Sequence, residues 1–184
     1  MDASKDFRAG LLAAIPSLRA FAFSLIGQPD RADDLVQETL TKAWAHQKSF
    51  QPGTNLKAWL YTILRNEFYS QMRRKKREVQ DVDGAYASRL SVHPHQHGQA
   101  DLADLNVAMA DLPEDQREAL VLVAAFGFSY EEAAEICSVA VGTIKSRVNR
   151  ARNRLAEILQ VDADATFGPD ATSEAVIGQT ATRR

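Results

Sequence analysis

The segment from Ser129 to Leu155 holds the residues best suited to chemistry on another molecule. Ser129-Tyr130-Glu131-Glu132 has the spacing of a capping box, in which the serine hydroxyl and the glutamate three residues on each satisfy a free backbone amide. A short helix through Ala133, Ala134 and Ile136 is predicted, then a turn over Ser138 to Gly142, then a helix from about Thr143 to Leu159. Two helices joined by a tight turn make a helix-turn-helix. On the second helix Ile144, Val148, Ala151 and Leu155 share one face, while Ser146, Asn149, Arg150 and Asn153 lie opposite, flanked by Lys145 and Arg147. Between Thr143 and Leu155 the cations Lys145, Arg147, Arg150, Arg152 and Arg154 meet no acid. An apolar face backed by a cationic, amide-bearing one suits the major groove of DNA: Arg and Lys match guanine edges, Asn matches adenine, and helix-start amides match phosphate. A solvated surface helix is the alternative, and cations without acids speak against it.

A second cluster lies between Asn55 and Glu78. Tyr61, Arg65 and Tyr69 are expected to project away from the stripe of Leu56, Trp59, Leu60, Ile63 and Leu64, and Arg73-Arg74-Lys75-Lys76-Arg77 continues from them. Aromatics beside cations suit stacking on unpaired bases and gripping of phosphate. A basic end that snorkels and favours the helix dipole explains the pattern equally well. Glu67 falls inside the apolar stripe, and nothing in the sequence accounts for it. A third group, Asp34, Gln37, Glu38 and Thr41, forms one polar face of the preceding helix, which pattern alone reads as solvated. His93, His95 and His97 alternate, a spacing that shares a face only on a strand; Pro94, Gly98 and the lack of a nearby carboxylate or cysteine argue for a mobile segment rather than a metal site. The single cysteine, Cys137, excludes an internal disulfide and reads as a small core residue. No Gly-rich phosphate loop, nucleophile elbow or zinc-protease pattern is present, so no catalytic residue, cofactor or metal is expected.

The segments that must position these residues all show helical periodicity, and no strand pattern appears. Leu11, Leu12 and Ile15 form a stripe interrupted by Pro16, which predicts one short helix before the proline and another from it to Ile26. Asp30 is expected to cap a helix carrying Ala32, Leu35, Val36, Leu40, Ala43 and Trp44. A loop from Gln47 to Thr54 holds Phe50, Pro52 and Gly53, and Asn55 caps the long helix beyond, about 35 Å if it reaches Glu78. Residues 79–100 lose periodicity and predict a flexible linker that leaves the two ends as separate packing units. Pro113 is expected as a first helical residue, Leu120 to Phe126 as a segment buried on most sides, and Gly127 as its stop. After Gln160 the composition predicts a disordered tail, residues 161–184. The fold class is all-α, with small helical domains at 7–78 and 101–160.

The chain of 184 residues is 25% charged and 45% hydrophobic, an ordinary soluble composition. No run of about 18 apolar residues stands out, and no secretory signal follows Met1, so no membrane partner and a cytoplasmic location are expected. A net charge of −2 does not exclude a polyanionic partner, because the cations are gathered on the two helices described above.

Asp34-Leu-Val-Gln-Glu-Thr-Leu-Thr-Lys-Ala-Trp44 and Asn55-Leu-Lys-Ala-Trp-Leu-Tyr-Thr-Ile-Leu-Arg-Asn66 resemble region 2 of an extracytoplasmic-function (ECF) RNA polymerase sigma factor. Leu112-Pro-Glu-Asp-Gln-Arg-Glu-Ala-Leu120, Tyr130-Glu-Glu-Ala-Ala134 and Val141-Gly-Thr-Ile-Lys-Ser-Arg-Val-Asn-Arg-Ala-Arg152 resemble region 4, the last of them in the form of the EcfG subgroup of alphaproteobacterial general-stress factors. The resemblance implies a non-catalytic subunit that brings core RNA polymerase, through its β′ coiled coil and β subunit, to promoter DNA with −35 and −10 elements. Asp34, Gln37, Glu38 and Thr41 would bind the coiled coil. Phe50, Thr54, Asn55, Lys57, Tyr61, Arg65, Tyr69, Arg73, Arg74, Lys75 and Lys76 would serve the −10 element, with bases turned out of the helix. Lys145, Ser146, Asn149 and Arg150 match the −35 readers, with Thr143 and Arg147 on phosphate. An anti-sigma factor of the NepR type, itself removed by a PhyR-type regulator, is also implied. Ala140 departs from the family's usual Ser or Thr before the recognition helix, so that helix is expected to start by packing rather than by a cap. A sigma mimic is a rival reading, but it predicts eroded basic helices and usually a receiver domain, for which the chain is not expected to have room. A regulator using the helix-turn-helix alone leaves the N-terminal half unexplained.

Overall fold

Apolar side chains recurring every third or fourth residue bury one stripe of each helix, and those stripes set the architecture. The computed structural model describes residues 3–80 and 100–160, and among them every regular element is helical. Residues 81–99 of the predicted linker, the three alternating histidines and the tail lie outside the described residues, while residues 79, 80 and 100 belong to the flanking helices. The N-terminal lobe consists of α1 (Ala3–Ile26), α2 (Pro29–Ala45) and α3 (Leu56–Gln80), with a short 3-10 turn at Gln47–Ser49. The C-terminal lobe consists of α4 (Ala100–Ala110), α5 (Glu114–Leu120), a π turn at Val121–Ala125, α6 (Tyr130–Cys137) and α7 (Val141–Leu159).

Several boundaries differ from the sequence expectation, each for a local reason. α1 does not break at Pro16. The ring sits on the exposed side, and the carbonyl it cannot serve belongs to Leu12, itself 59% exposed, where water can replace the missing bond. Leu11, Leu18, Phe21 and Leu25 meanwhile bury one continuous stripe across the proline. The segment Asp6–Ile26 is also long and apolar enough to cross a membrane, contrary to the sequence reading; here Leu18, Phe21 and Ala22 of that segment are fully buried in the core. α2 is preceded by Gln28 rather than capped by Asp30, because Pro29 takes the first helical position, where its fixed φ and missing N–H cost nothing. Pro113 precedes α5 by one residue instead of opening it. Leu120, Val121 and Leu122 are buried, but Ala124 and Ala125 are exposed, because the π turn bonds Phe126 N–H to the Val121 carbonyl (3.1 Å) and rotates the segment. Gly127, at φ 69, then ends it as expected.

Two of the side-chain caps assigned from sequence, at Asn55 and Ser129, are present. The Asn55 side chain accepts from Ala58 N–H at 3.1 Å. Ser129 Oγ accepts from Glu132 N–H at 3.1 Å while the Glu132 carboxylate accepts from Ser129 N–H at 2.9 Å. Ala140, in extended geometry, gives α7 no side-chain cap. At Gly10, a Cβ would meet Leu56 Cδ2 at 2.5 Å, so this glycine lets α1 close on the start of α3.

The two helical units do not stand apart. One apolar cluster runs through both. Its junction is Tyr61, fully buried, stacked on Phe21 (centroids 4.8 Å apart) and edge-on to Phe126 (5.3 Å) and Phe128 (5.0 Å). The tyrosine hydroxyl donates to the Ser17 carbonyl at 3.1 Å, and burial pushes its pKa up to about 12.

Candidate nucleic-acid interface

α7 presents the face that the helical wheel predicts. Ile144, Val148, Ala151 and Leu155 are buried; Lys145, Ser146, Asn149, Arg150, Arg152 and Asn153 are exposed. Ser138, at φ 54, makes the left-handed turn that swings α7 across α6. Among the described residues Lys145, Arg150 and Arg152 enter no ion pair, although Lys145 lies over the Tyr130 ring at 5.8 Å. Arg147 is held differently. It pairs with Asp115 of α5 at 3.0 Å and is 20% exposed, so it ties the recognition helix to the scaffold. Thr143 is half-buried and its carbonyl accepts the Ser146 hydroxyl at 2.9 Å.

The second cluster divides along α3. The basic run Arg73, Arg74, Lys75, Lys76 and Arg77 is exposed. Nearer the N-terminus, four of the −10 candidates meet the C-terminal lobe instead, Arg65 and Tyr69 among them although both were expected to project outward. Asn55 donates to Glu132 (2.8 Å), Lys57 to the Phe126 carbonyl (3.1 Å), Arg65 Nε to Glu118 Oε1 (2.8 Å) and the Tyr69 hydroxyl to Glu118 Oε2 (3.3 Å). The Arg65 guanidinium also lies over the Tyr69 ring at 4.7 Å. Glu118 is fully buried; burial raises its pKa, and Arg65 and Tyr69 only partly offset that. Arg117, beside it, reaches the Ser24 carbonyl of α1, and its buried Nε has no partner among the described residues. Cys137 is buried nearby with its thiol pushed up to about 12 by burial, consistent with an unreactive core residue.

Glu67 acquires an account from tertiary structure alone. It is buried, and both Lys42 of α2 and Gln71 donate to it. Burial works to raise its pKa, but those hydrogen bonds win and hold it below the usual range. The loop before α3 packs Phe50 against Phe7 (5.8 Å) and Trp59 (5.4 Å) and opens a pocket of about 560 Å³ bordered by Phe50, Gly53, Thr54 and Leu56. Gly53, at φ 91, makes that loop possible.

On α2, Asp34, Gln37, Glu38 and Thr41 are all exposed along one face. Beside them runs an apolar groove that the sequence reading missed, lined by Leu11, Leu12 and Ile15 of α1 and Leu40 and Trp44 of α2. Trp44 is 47% exposed although its spacing placed it in the core stripe.

An all-helical pair of lobes, one carrying a helix-turn-helix on which Lys145, Arg150 and Arg152 enter no ion pair among the described residues, has the architecture of a DNA-binding transcription factor. Residues 12–78 match the Sigma-70 region 2 family and residues 102–155 match Sigma-70, region 4. The chain is 58% identical to the ECF RNA polymerase sigma factor EcfG of Rhodopseudomonas palustris, over 97% of this chain and 98% of that protein. It is similar to the sigma factor RpoE solved in complex with the anti-sigma factor NepR from Bartonella quintana, with 61% identity and a TM-score of 0.78, covering 86% of this chain and 99% of that one. It also resembles CnrH in complex with the cytosolic domain of CnrY, at 25% identity and a TM-score of 0.63, covering 89% and 92%. The chain belongs to the ECF RNA polymerase sigma factors, within which its likeness is to the EcfG subgroup. It is a specificity subunit for transcription initiation, directing core RNA polymerase to promoters.

Proposed function

We propose that this sigma factor holds core polymerase through Asp34, Gln37, Glu38 and Thr41 of α2 and reads the −35 duplex with Lys145, Ser146, Asn149 and Arg150 of α7. It captures the −10 strand on the Phe50–Asn55 loop and α3, and it contributes no catalytic step of its own. The observation that carries this reading is the exposed α7 face, whose Lys145, Arg150 and Arg152 have no anionic partner among the described residues. Opening the −10 element costs on the order of 1.4 kcal/mol of stacking per step. An extruded base entering the pocket beside Phe50 and Thr54 regains part of that cost through stacking and hydrogen bonds. The exposed Arg73 to Lys76 run supplies charge for the adjoining phosphates.

The likeness to an RpoE solved with NepR supports control by an anti-sigma factor of that type. The likeness to EcfG supports a role in the general stress response and a cytoplasmic location. Run-off transcription with core polymerase on a promoter library tests the reading. Initiation at defined sites behind paired −35 and −10 elements is expected, and it should fall when a NepR-type protein is added. Absence of any defined start would overturn the proposal.

A further inference from the structure

We propose that Asn153 is a positioning residue for −35 reading: by donating to Asn149 it turns that amide so that the Asn149 NH2 group, rather than its carbonyl, meets the base edge. The inference rests on the proposed role of Asn149 as a −35 reader and adds the class of base edge that it selects.

Asn149 and Asn153 are both exposed and lie one turn apart on α7. Helical side chains tilt toward the N-terminus, so Asn153 leans back over Asn149. Its Nδ2 donates to Asn149 Oδ1 at 3.2 Å. No other hydrogen bond engages the Asn149 side chain among the described residues. A primary amide carries a carbonyl acceptor on one side and an NH2 donor on the other. With Oδ1 turned to Asn153, Nδ2 is turned away from it, toward the N-terminal turns by which a recognition helix meets base edges. Asn153 lies farther from that end and acts through Asn149.

The orientation matters because the neighbouring readers are already fixed in polarity. Lys145 and Arg150 carry donors only, and the Ser146 hydroxyl spends its proton on the Thr143 carbonyl at 2.9 Å. Asn149 alone has a donor and an acceptor to choose between. The adenine match expected for Asn needs Oδ1 and Nδ2 side by side on one base, whereas here Oδ1 is turned to Asn153. An outward NH2 suits guanine, whose edge bears the N7 and O6 acceptors, and thymine through O4; it finds no acceptor on cytosine, which presents its N4 amino donor. Adenine offers one group of each kind and keeps one bond with the amide either way round. An exposed amide pair at this spacing biases the orientation about twofold, so the result is a graded preference among bases.

The test measures holoenzyme binding to −35 duplexes carrying each base in turn. Asn149→Ala locates the base pair, as the position where it levels discrimination. Asn153→Asp then keeps the size of the side chain and removes its donor. A carboxylate only accepts, so Asn149 must turn Nδ2 toward it and present Oδ1 outward. The affinity ratio of guanine over cytosine at that position should fall about fivefold, because the new charge-assisted bond is roughly twice as strong as the old one and opposite in sense. Repulsion of phosphate by the added charge weakens every duplex alike and cancels in the ratio. Asn153→Ala should lower the ratio about twofold. On an Asn149→Ala background, Asn153→Asp should leave it unchanged. Both residues are exposed, so these variants remove no buried contact. An unchanged ratio in Asn153→Asp, with wild-type helical circular dichroism, overturns the inference. A shift that persists without Asn149 also overturns it, because Asn153 then touches DNA directly. If Asn149→Ala weakens every −35 duplex by one factor, the proposed role of Asn149 falls and the inference with it. Base selectivity that depends on Asn149 but ignores Asn153 refutes the inference alone.

Discussion

Arg150 and Arg147 lie on the same helix in different surroundings, and the proposed reading gives them different work. Arg150 is exposed and forms no ion pair among the described residues, so its guanidinium is available to a base edge. Arg147 is 20% exposed, bound to Asp115 at 3.0 Å, and carries a buried nitrogen without a partner among the described residues. Replacing Arg150 by Ala should remove a bidentate base interaction worth about 1–3 kcal/mol, or roughly 5- to 150-fold in affinity. Stability should be unchanged, since the exposed guanidinium holds no ion pair within the described fold. Arg147→Ala should lower the unfolding free energy by only about 0.2–1 kcal/mol, because Asp115 is 47% exposed and the pair is screened by water. Its effect on DNA should be similar across −35 variants under the phosphate role that the family resemblance implies for it. Asp115→Asn provides the control: it frees Arg147 and should leave −35 binding undiminished. The assay is holoenzyme binding to a panel of −35 single-base variants, alongside urea unfolding of each chain. If Arg150→Ala weakens every −35 variant by the same factor, Arg150 grips phosphate, and its assignment as a base reader is wrong.

Three other outcomes follow from the geometry. Ser129→Ala should cost about 1 kcal/mol by removing half of the capping box, measured by urea unfolding. The backbone bond from Ser129, then Asn55, holds the Glu132 pKa below its ordinary 4.5. The wild-type contribution of that carboxylate is therefore present above pH 4.5 and is lost as pH falls through the lower folded value; in Ser129→Ala this acid-dependent part should persist, because the Ser129 amide remains. Lys42→Met should destabilise the N-terminal lobe by about 1–3 kcal/mol by leaving the buried Glu67 with only Gln71. That deficit should shrink in acid, where Glu67 takes up a proton, and a pH-independent deficit would contradict the pairing. Neutralising Arg73, Arg74, Lys75 and Lys76 should flatten the salt dependence of holoenzyme–promoter binding, by about one unit of slope for each phosphate no longer neutralised; an unchanged slope would remove these residues from the interface.

The helices, the capping box, the Asn55 cap and the exposed face of α7 were legible in the sequence because each depends on residues within a few positions of one another. The periodicity that buries Ile144, Val148, Ala151 and Leu155 leaves only one orientation for Lys145, Asn149 and Arg150. Tertiary structure decided what local pattern leaves open. Pro16 remains within α1 because a distant core holds both of its halves. Glu67 is tolerated because Lys42 of another helix reaches it. Tyr61, Arg65 and Tyr69 read as an outward face on an isolated α3, and only tertiary packing turns them inward: α1 and the turn at Phe126 and Phe128 enclose Tyr61, and Glu118 of α5 takes Arg65 and Tyr69. The sum of long-range packing against solvation fixes such contacts, and no short window of sequence contains both sides of it.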